Sequence, residues 1–167
     1  MSKRFGWGHI NINVRDLDVS IQFYRKLGFE LFIPGIPYLD LNAERSGAMP
    51  DDTVEALGLP HGTQGRACIL QLDNGFPKID LTELSDLEQR EPLRNQDLGL
   101  VRLCLASQDL AADYEDLKSQ GVEFMSPPAT CHRRLADIAI CKDPDGTLIE
   151  LLQVHLERWP PIPGVNA

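Results

Sequence analysis

Polar and apolar residues alternate from Gly8 to Val14, which is the two-residue period of a half-buried strand, and His9 falls on its polar face. Behind this strand, Asp16 has the side chain of a helix N-cap, and apolar residues recur after it near helical spacing. Gly28 supplies the helix stop, because glycine readily adopts the left-handed backbone that ends helices. The chain then returns to a strand pattern from Phe29 to Ile33. The pattern predicts a strand, a helix and a second strand.

The same order of elements returns later in the chain at one constant offset. Without any gap, Asp16 falls on Asp109 and Gly28 falls on Gly121. We therefore expect a second module that is built like the first, beginning with a strand from Leu98 to Ala106. A helix after Asp109 and a short strand at 122–125 complete the correspondence.

Two hairpins complete the modules. Turn residues that favour hairpins, Asp73-Asn74-Gly75 and the run from Lys142 to Gly146, separate two pairs of strand-like segments. Each module is therefore predicted to consist of a strand, a helix and three further strands. We predict an α+β fold of two tandem βαβββ modules, which form a curled mixed β-sheet around a shared cleft. The four hairpin strands are predicted at Ala67–Leu72, Lys78–Leu84, Asp137–Cys141 and Thr147–Val154.

Two segments fall outside the repeat. The first is an insertion at 34–66, with a short helix predicted at 52–57 and capped by Asp51 or Asp52. It is either a lid over the cleft or a surface excursion. The second is a proline-rich tail at 159–167, which either packs across a subunit interface or frays. We expect one domain over 1–167, with the modules at about 5–90 and 97–155.

Composition narrows the function classes. The net charge of -9 and the pI near 4.8 argue against binding to nucleic acid or to acidic membranes, and leave a small molecule as the expected partner. The apolar runs are too short to span a membrane, and the N-terminal residues have no signal-peptide pattern. The four cysteines lack C-x-x-C spacing, so we expect reduced thiols in a cytoplasmic protein.

Four polar residues occupy equivalent points of the two modules. His9 and Arg102 open the first strands, and Asp80 and Glu150 lie in the last strands. Histidine and carboxylates can bind a divalent metal or move protons, whereas arginine has no lone pair to donate to a metal.

Three motifs suggest a family. These motifs are H-I-x-I-x-V-x-D-L from His9, F-Y-x-x-L-G-F from Phe23, and D-P-D-G-T-x-I-E-L from Asp143. Together they resemble the vicinal oxygen chelate superfamily, which holds glyoxalase I, methylmalonyl-CoA epimerase, extradiol dioxygenases, fosfomycin-resistance enzymes and bleomycin-resistance proteins. The resemblance implies paired modules whose sheets curl around a metal or ligand cleft, and it implies a homodimer.

The resemblance also implies a metal site. In the metalloenzymes, a histidine from each module's first strand joins a carboxylate or glutamine from its last strand, so His9, Asp80 and Glu150 would be ligands. An oxygen-rich set of this kind favours Mn, Mg or Fe, and Ni and Zn are also to be tested. Arg102 departs from the pattern, because it stands where the second histidine would be. Its charge would oppose a metal ion by about 4 kcal/mol per unit-charge pair at about 4 Å.

Three functions stay open at this point. The first is an enzyme of glyoxalase or dioxygenase type, a lyase, isomerase or oxygenase acting on an oxygenated metabolite, with His9, Glu150 and Arg102 as catalytic residues. It would use a divalent metal held by His9, Asp80 and Glu150. The second is a metal-free ligand-binding protein of the bleomycin-resistance kind, in which Arg102 replaces the metal charge. The third is a metal-free enzyme that uses His9 or Glu150 as its base. Arg102 itself is either a structural partner of the carboxylates or an anchor for an anionic group.

The sequence also gives expectations for residues outside these four positions. His61 and His132 are expected in solvated loops. A set of aromatic residues either lines an apolar pocket or belongs to the core, namely Phe5, Trp7, Phe32 and Tyr38.

Overall fold

The structure of the chain, a computed structural model, describes residues 5–85 and 90–160. It divides into two compact units, Met1–Glu91 and Pro92–Ala167, and each carries one copy of the repeat. The predictions made for residues 1–4 and for the tail beyond Pro160 lie outside the described residues. That the two units form one domain with a shared cleft stays a prediction.

The first unit is built on a five-stranded mixed sheet in the order β1-β7-β6-β2, with β5 also paired to β6. β1 runs parallel to β7, and the other pairings are antiparallel. The helix α1 buries its apolar side, while strands β3 and β4 form a small separate ladder. The elements are β1 (His9–Asn13), α1 (Leu17–Lys26), β2 (Glu30–Ile33), β3 (Gly35–Ile36), a 3-10 turn (Pro37–Leu39), β4 (Leu41–Asn42), β5 (Gly47–Ala48), α2 (Asp51–Leu57), β6 (Gln64–Gln71) and β7 (Lys78–Leu84).

The second unit repeats this plan with a sheet in the order β10-β11-β12-β8, to which β9 adds by pairing with β11. Its first and last strands, β8 and β12, are again parallel neighbours. The predicted α+β class and the two modules are confirmed. The elements are β8 (Arg102–Ala106), α3 (Leu110–Ser119), β9 (Glu123–Phe124), β10 (Ala129–Thr130), a 3-10 turn (His132–Arg134), β11 (Ala136–Lys142), β12 (Leu148–Val154) and a final 3-10 turn (Leu156–Arg158).

The helix ends confirm the duplication in detail. The Asp16 carboxylate accepts a hydrogen bond from the Val19 N–H, and Asp109 accepts one from Ala112 in the same way. Gly28 and Gly121 both take positive φ angles, 90° and 81°, which glycine adopts without the steric cost of a side chain.

Two local predictions are wrong. The strand expected from Leu98 begins only at Arg102; Leu98 is 97% exposed, and Gly99 has a φ of 122°, which is outside the strand region. The short helix α2 has Pro50 at its N-cap position and no side-chain cap, so neither Asp51 nor Asp52 caps it. Pro50 has a ψ of 144° and so lies just before the helix, and both aspartates fall within the first helical turn. Negative charge there is favourable because the N-terminus of a helix is partly positive.

The insertion at 34–66 has an apolar cluster of its own. The cluster packs against Ala67 of β6, and Ile36 and Val54 are fully buried in it. This packing fixes the position of the segment on the first unit. Its other members are Leu39, Leu41 and Met49.

Among the described residues, no helix combines the length and the apolar composition that a bilayer span requires. The four cysteines are free thiols, as predicted, with Cys68 and Cys141 buried and Cys104 exposed.

Candidate functional site

In the first unit, the repeat brings a histidine and a buried aspartate together. His9 opens β1 and Asp80 is the third residue of β7, and the parallel pairing of these strands sets His9 opposite Lys78. The Asp80 side chain is 1% exposed, whereas His9 is 46% exposed. His9 Nε2 lies 3.6 Å from Asp80 Oδ2, just beyond hydrogen-bond distance. One carboxylate therefore lies beneath an imidazole that solvent can reach.

Tyr38 joins this pair from the insertion. Its hydroxyl donates a 3.1 Å hydrogen bond to Asp80 Oδ2, the oxygen that His9 faces, and its ring stacks near the His9 ring with centroids 6.5 Å apart. The Thr53 hydroxyl donates to the Tyr38 carbonyl at 3.2 Å and ties the turn to α2. The sequence indicates Tyr38 only as an aromatic residue of the pocket or the core, because nothing in the pattern relates residue 38 to the repeat. We call Tyr38, His9 and Asp80 the Asp80 cluster.

The second oxygen of Asp80 has no partner. Oδ1 is buried and accepts no hydrogen bond from any described residue, which is a costly arrangement for an ionised carboxylate. Burial raises the pKa of the Asp80 carboxyl, and the nearby His9 and the Tyr38 hydroxyl only partly offset this rise. Burial and the charge of Asp80 raise the pKa of Tyr38 to about 12, so its hydroxyl stays protonated and acts as a donor.

In the second unit, the equivalent positions hold an ion pair. Arg102 Nε donates to Glu150 Oε2 at 2.5 Å, and Arg102 Nη1 donates to the Asn95 side-chain carbonyl at 3.1 Å. The Arg102 side chain is 38% exposed and the Glu150 side chain 11%. The predicted pairing of Arg102 with a carboxylate is observed for Glu150. Asn95 could not be predicted, because it lies in an irregular segment before β8.

Cys104 lies on the same strand as Arg102 and directly opposite Glu150 in the ladder. Although Cys104 is exposed as a residue, partial desolvation of its thiol, and then the negative charge of Glu150, raise the pKa of the thiol, while Arg102 acts in the opposite sense. The thiol is therefore a neutral neighbour of the ion pair at physiological pH, and a thiolate nucleophile is disfavoured there.

The remaining histidines lie away from these positions. His61 and His132 are exposed, as expected for loop residues. His155 is instead well covered, and its Nε2 lies 2.7 Å from Asp137 Oδ2. Hydrogen bonds from the Thr130 hydroxyl and from His155 hold the pKa of Asp137 below its ordinary value. This pair joins the end of β12 to β11 and has no counterpart in the first unit's repeat.

The four aromatic residues proposed for a pocket or the core are all largely exposed. Phe5 is 81% exposed, Trp7 is 75% exposed and Tyr38 is 57% exposed, while Phe32 packs beside the Lys78 ammonium group at 4.9 Å from its ring centroid. The interpretation that these side chains fill the core is therefore wrong. Their role as a pocket lining stays a prediction.

Residues 6–151 match the glyoxalase/bleomycin resistance protein/dioxygenase superfamily. This stretch contains both copies of the repeat and all four polar positions. The chain belongs to this superfamily. The assignment confirms the family that the motifs suggested, and superfamily membership leaves the individual reaction open because one fold supports several chemistries.

Curated relatives and solved structures agree with this superfamily. A lactoylglutathione lyase of Pseudomonas aeruginosa is 28% identical over 93% of this chain and 86% of its own length. A probable lactoylglutathione lyase of Synechocystis is 23% identical over 90% of this chain and 96% of its own. A glyoxalase family protein of Bacillus cereus shares the fold with a TM-score of 0.71 at 17% identity, covering 92% of this chain and 98% of that one.

The metal centre that the resemblance implies does not fit the donors of the second unit. Arg102 has no lone pair to offer and it engages Glu150 Oε2, whereas His9 and Asp80 in the first unit remain chemically suitable ligands. Residues 5–85 and 90–160 contain no group of three or more histidine, cysteine, aspartate or glutamate side chains placed to hold a metal ion. The metal set of His9, Asp80 and Glu150 stays a prediction, and we derive no chemical step from it.

Proposed function

We propose that the chain is a small-molecule enzyme that moves a proton on an oxygenated metabolite, and that the Asp80 cluster carries this chemistry. The observation that supports it is the buried Asp80 carboxylate, with one oxygen facing His9 and Tyr38 and the other without a partner. An unsatisfied buried carboxylate costs stability and is typical of functional sites.

In this proposal His9 is the general base. Its Nε2 faces Asp80, so the carboxylate favours a proton on that nitrogen and leaves the lone pair on Nδ1. Nδ1 takes a proton from the carbon beside a substrate carbonyl, and the electron pair of that C–H bond moves towards the carbonyl oxygen, so that an enolate and an imidazolium form. The positive charge that develops on the imidazole is stabilised by Asp80 beneath it.

Tyr38 has a positioning role in this scheme. By donating to Asp80 Oδ2 it stabilises the ionised carboxylate, which is the form that stabilises the His9 imidazolium. Because the Tyr38 pKa is raised to about 12, the hydroxyl keeps its proton over the working pH range.

The test of the proposal is exchange of carbon-bound hydrogen. The protein is incubated in D2O with lactoylglutathione, suggested by the names of the curated relatives, and with a panel of small hydroxy acids and keto acids. Uptake of deuterium beside the carbonyl is followed by NMR. We expect exchange with at least one compound and a loss of about 100-fold or more in His9→Asn, the typical contribution of a general base.

The matched control is His155→Asn. His155 also faces an aspartate, Asp137, but lies outside the repeat positions, so its loss should leave the exchange rate unchanged. An exchange rate in His9→Asn equal to that of the unaltered protein would refute the role of His9. Equal losses in both histidine variants would indicate general damage to the fold.

The alternative of a metal-assisted reaction, with His9, Asp80 and Glu150 as ligands, is tested in the same preparation. Metal content per chain is determined in protein purified without chelator or affinity tag, alongside Glu150→Ala. Near-stoichiometric metal that is lost in the variant would replace our scheme with a metal-assisted reaction. Full exchange activity after chelation, with no increase on addition of Mn, Fe, Ni or Zn, is the result that we expect.

A metal-free ligand-binding protein is the second candidate function. The Arg102–Glu150 ion pair favours it, because two positions that bind metal in the superfamily's enzymes satisfy one another here. Saturable binding of a compound without exchange, and without an effect of His9→Asn, would favour this candidate over the enzyme.

A further inference from the structure

The Arg102 guanidinium is only partly used by the protein. Arginine carries five N–H donors in a planar fork, and the observed hydrogen bonds engage one on Nε and one on Nη1. Among residues 5–85 and 90–160, no acceptor is found for the N–H groups of Nη2. The side chain is 38% exposed, so an outside molecule can reach these donors.

The guanidinium is also held rigidly by two separate parts of the second unit. Glu150 of β12 holds Nε, and Asn95 of the irregular segment before β8 holds Nη1. A free surface arginine loses considerable rotamer entropy when it binds a ligand, whereas this one is already fixed. The arrangement therefore lowers the entropic cost of a further contact.

We propose that Arg102 forms a carboxylate-binding site in the second unit, held in place by Glu150 and Asn95. The ligand class is a small organic acid whose planar carboxylate accepts hydrogen bonds from the Nη1 and Nη2 end of the guanidinium. Cys104, two residues along the same strand, provides a small neighbour beside the bound group.

The charge balance of the site predicts its selectivity. Glu150 already neutralises Arg102, so the net attraction for any anion is weak and a bare anion such as chloride gains little. A carboxylate gains the directional hydrogen bonds of the fork as well. The site should therefore discriminate by geometry and bind in the millimolar range, which is about 4 kcal/mol of binding free energy.

This inference is independent of the acid–base role of the Asp80 cluster. It concerns binding in the second unit alone, and the two ideas can fail separately. If His9→Asn abolishes exchange and carboxylates do not bind at Arg102, only the present inference is lost. If carboxylates bind but exchange is absent or insensitive to His9→Asn, only the proposed function is lost.

The experiment is an NMR titration of the full chain. The Nε–H resonance of Arg102 is identified by its absence in Arg102→Lys, and pyruvate is added to about 50 mM at constant ionic strength. We expect a saturable shift with pyruvate and none with the neutral amide pyruvamide or with chloride. Saturation is also measured from the ligand side, so that Arg102→Met can be compared with the unaltered protein.

Three variants separate a binding role from a structural one. Arg102→Met should weaken pyruvate binding about tenfold or more, the typical loss for hydrogen bonds to a charged group. Glu150→Gln keeps an acceptor for Nε but removes the competing charge, so it should strengthen binding by about threefold or more. A merely structural pair gives no reason for that gain. Asn95→Ala should weaken binding about threefold, because Nη1 loses its anchor.

Arg94→Met is the matched control. Arg94 also pairs with a carboxylate, that of Asp97, but both belong to one exposed turn. Its loss should not change pyruvate binding. The inference is overturned if pyruvate shows no saturable shift, if chloride shifts the resonance equally, or if Arg102→Met and Arg94→Met weaken binding to the same extent while circular dichroism shows both variants folded.

Discussion

The two units place different pairs at the same two points of the same two strands. In the first unit, His9 and Asp80 stand 3.6 Å apart and leave a buried oxygen without a partner. In the second, Arg102 and Glu150 form a closed ion pair with a short hydrogen bond. One scaffold thus holds a buried carboxylate oxygen without a partner in one copy and an ion-paired carboxylate in the other. The first arrangement is suited to proton transfer, and the second to holding a fixed charge.

The two units share the hydrogen bond that links the last strand to the start of the helix. In the first unit, Glu83 near the end of β7 accepts a hydrogen bond from the Leu17 N–H at the start of α1. In the second, Gln153 of β12 accepts one from the Leu110 N–H at the start of α3. The duplication has kept the link between the last strand and the helix, while the polar pair facing the other side of the strand has changed.

Removing the basic partner should affect stability unequally in the two units. Arg102→Met leaves Glu150 largely buried without its cation and should cost about 2 kcal/mol, less than a fully buried pair because Arg102 is partly exposed. His9→Leu removes no hydrogen bond and should cost under about 1 kcal/mol. Urea unfolding is followed by the fluorescence of Trp159 in a Trp7→Phe background. This measurement gives the free energy of unfolding of the second unit.

The double variant Arg102→Met/Glu150→Leu is the control for that result. Replacing both partners removes the uncompensated charge, so it should recover more than half of the loss. A double variant as unstable as the single one would show that the Arg102 stem, rather than its charge, supports the unit.

Tyr38→Phe should change the pH dependence of the exchange rate, which we attribute to the first unit alone. Without the hydroxyl, the Asp80 carboxylate loses a hydrogen bond that favours its ionised form, so the pKa of Asp80 rises further. The acidic limb of the exchange rate should move to higher pH, with a loss of about tenfold near neutrality. A lower rate with an unmoved acidic limb would contradict the positioning role. Phe32→Leu, which alters a partly exposed aromatic residue of the same unit, is the comparison variant.

Asp80→Asn should stabilise the protein at neutral pH by about 1 kcal/mol while abolishing exchange. The folded-state pKa of Asp80 lies above its ordinary value of 3.8, so its contribution to stability is present below that value and is lost as the pH rises through the folded-state pKa. The gain from asparagine should therefore be larger at pH 7 than at pH 4.

Asp40→Asn is the matched control for this pH dependence. Asp40 is exposed and has a φ of 54°, a conformation that asparagine also tolerates. Because its side chain is exposed, its variant should show no comparable gain in stability. A gain in Asp80→Asn that is the same at pH 4 and pH 7 would contradict the raised pKa.

The helix caps should show the least difference between the units. Asp16→Ala and Asp109→Ala each remove one cap hydrogen bond of about 3 Å, so each should cost about 1 kcal/mol. The two losses should agree within about 0.5 kcal/mol. A larger gap in parallel urea titrations would show that the duplicated helices no longer contribute equally.

The fold could be predicted from the sequence because its signals are local and occur twice. Alternation marks β1, Asp16 and Asp109 mark helix starts, and Gly28 and Gly121 mark helix ends. The alignment of the repeats also identified the four polar positions. Of the two roles that the sequence left open for Arg102, pairing with a carboxylate is observed, because buried charges in proteins are usually paired. The role of an anchor for an anionic group stays a proposal.

The parts that could not be predicted depend on irregular segments. Tyr38 reaches Asp80 from a 3-10 turn inside the insertion, and Asn95 reaches Arg102 from a segment without regular structure. No periodicity connects such residues to a strand, so only the folded chain reveals these contacts. The late start of β8 has a similar cause, since the apolar residues Leu98 and Leu100 imitate strand alternation while remaining exposed. The metal set, the cleft and the homodimer stay predictions.

The parallel pairing of first and last strands has a consequence for synthesis on the ribosome. β1 is synthesised first, but its neighbour in the sheet is β7. The His9–Asp80 contact therefore cannot form until nearly the whole first unit has been translated. Every strand ladder of that unit then closes within residues 9–84, before β8 has been made. The second unit repeats the delay between β8 and β12. A translational pause after the first unit would thus give its sheet time to form. A pause before β7 would leave β1 without its neighbouring strand and prone to aggregation.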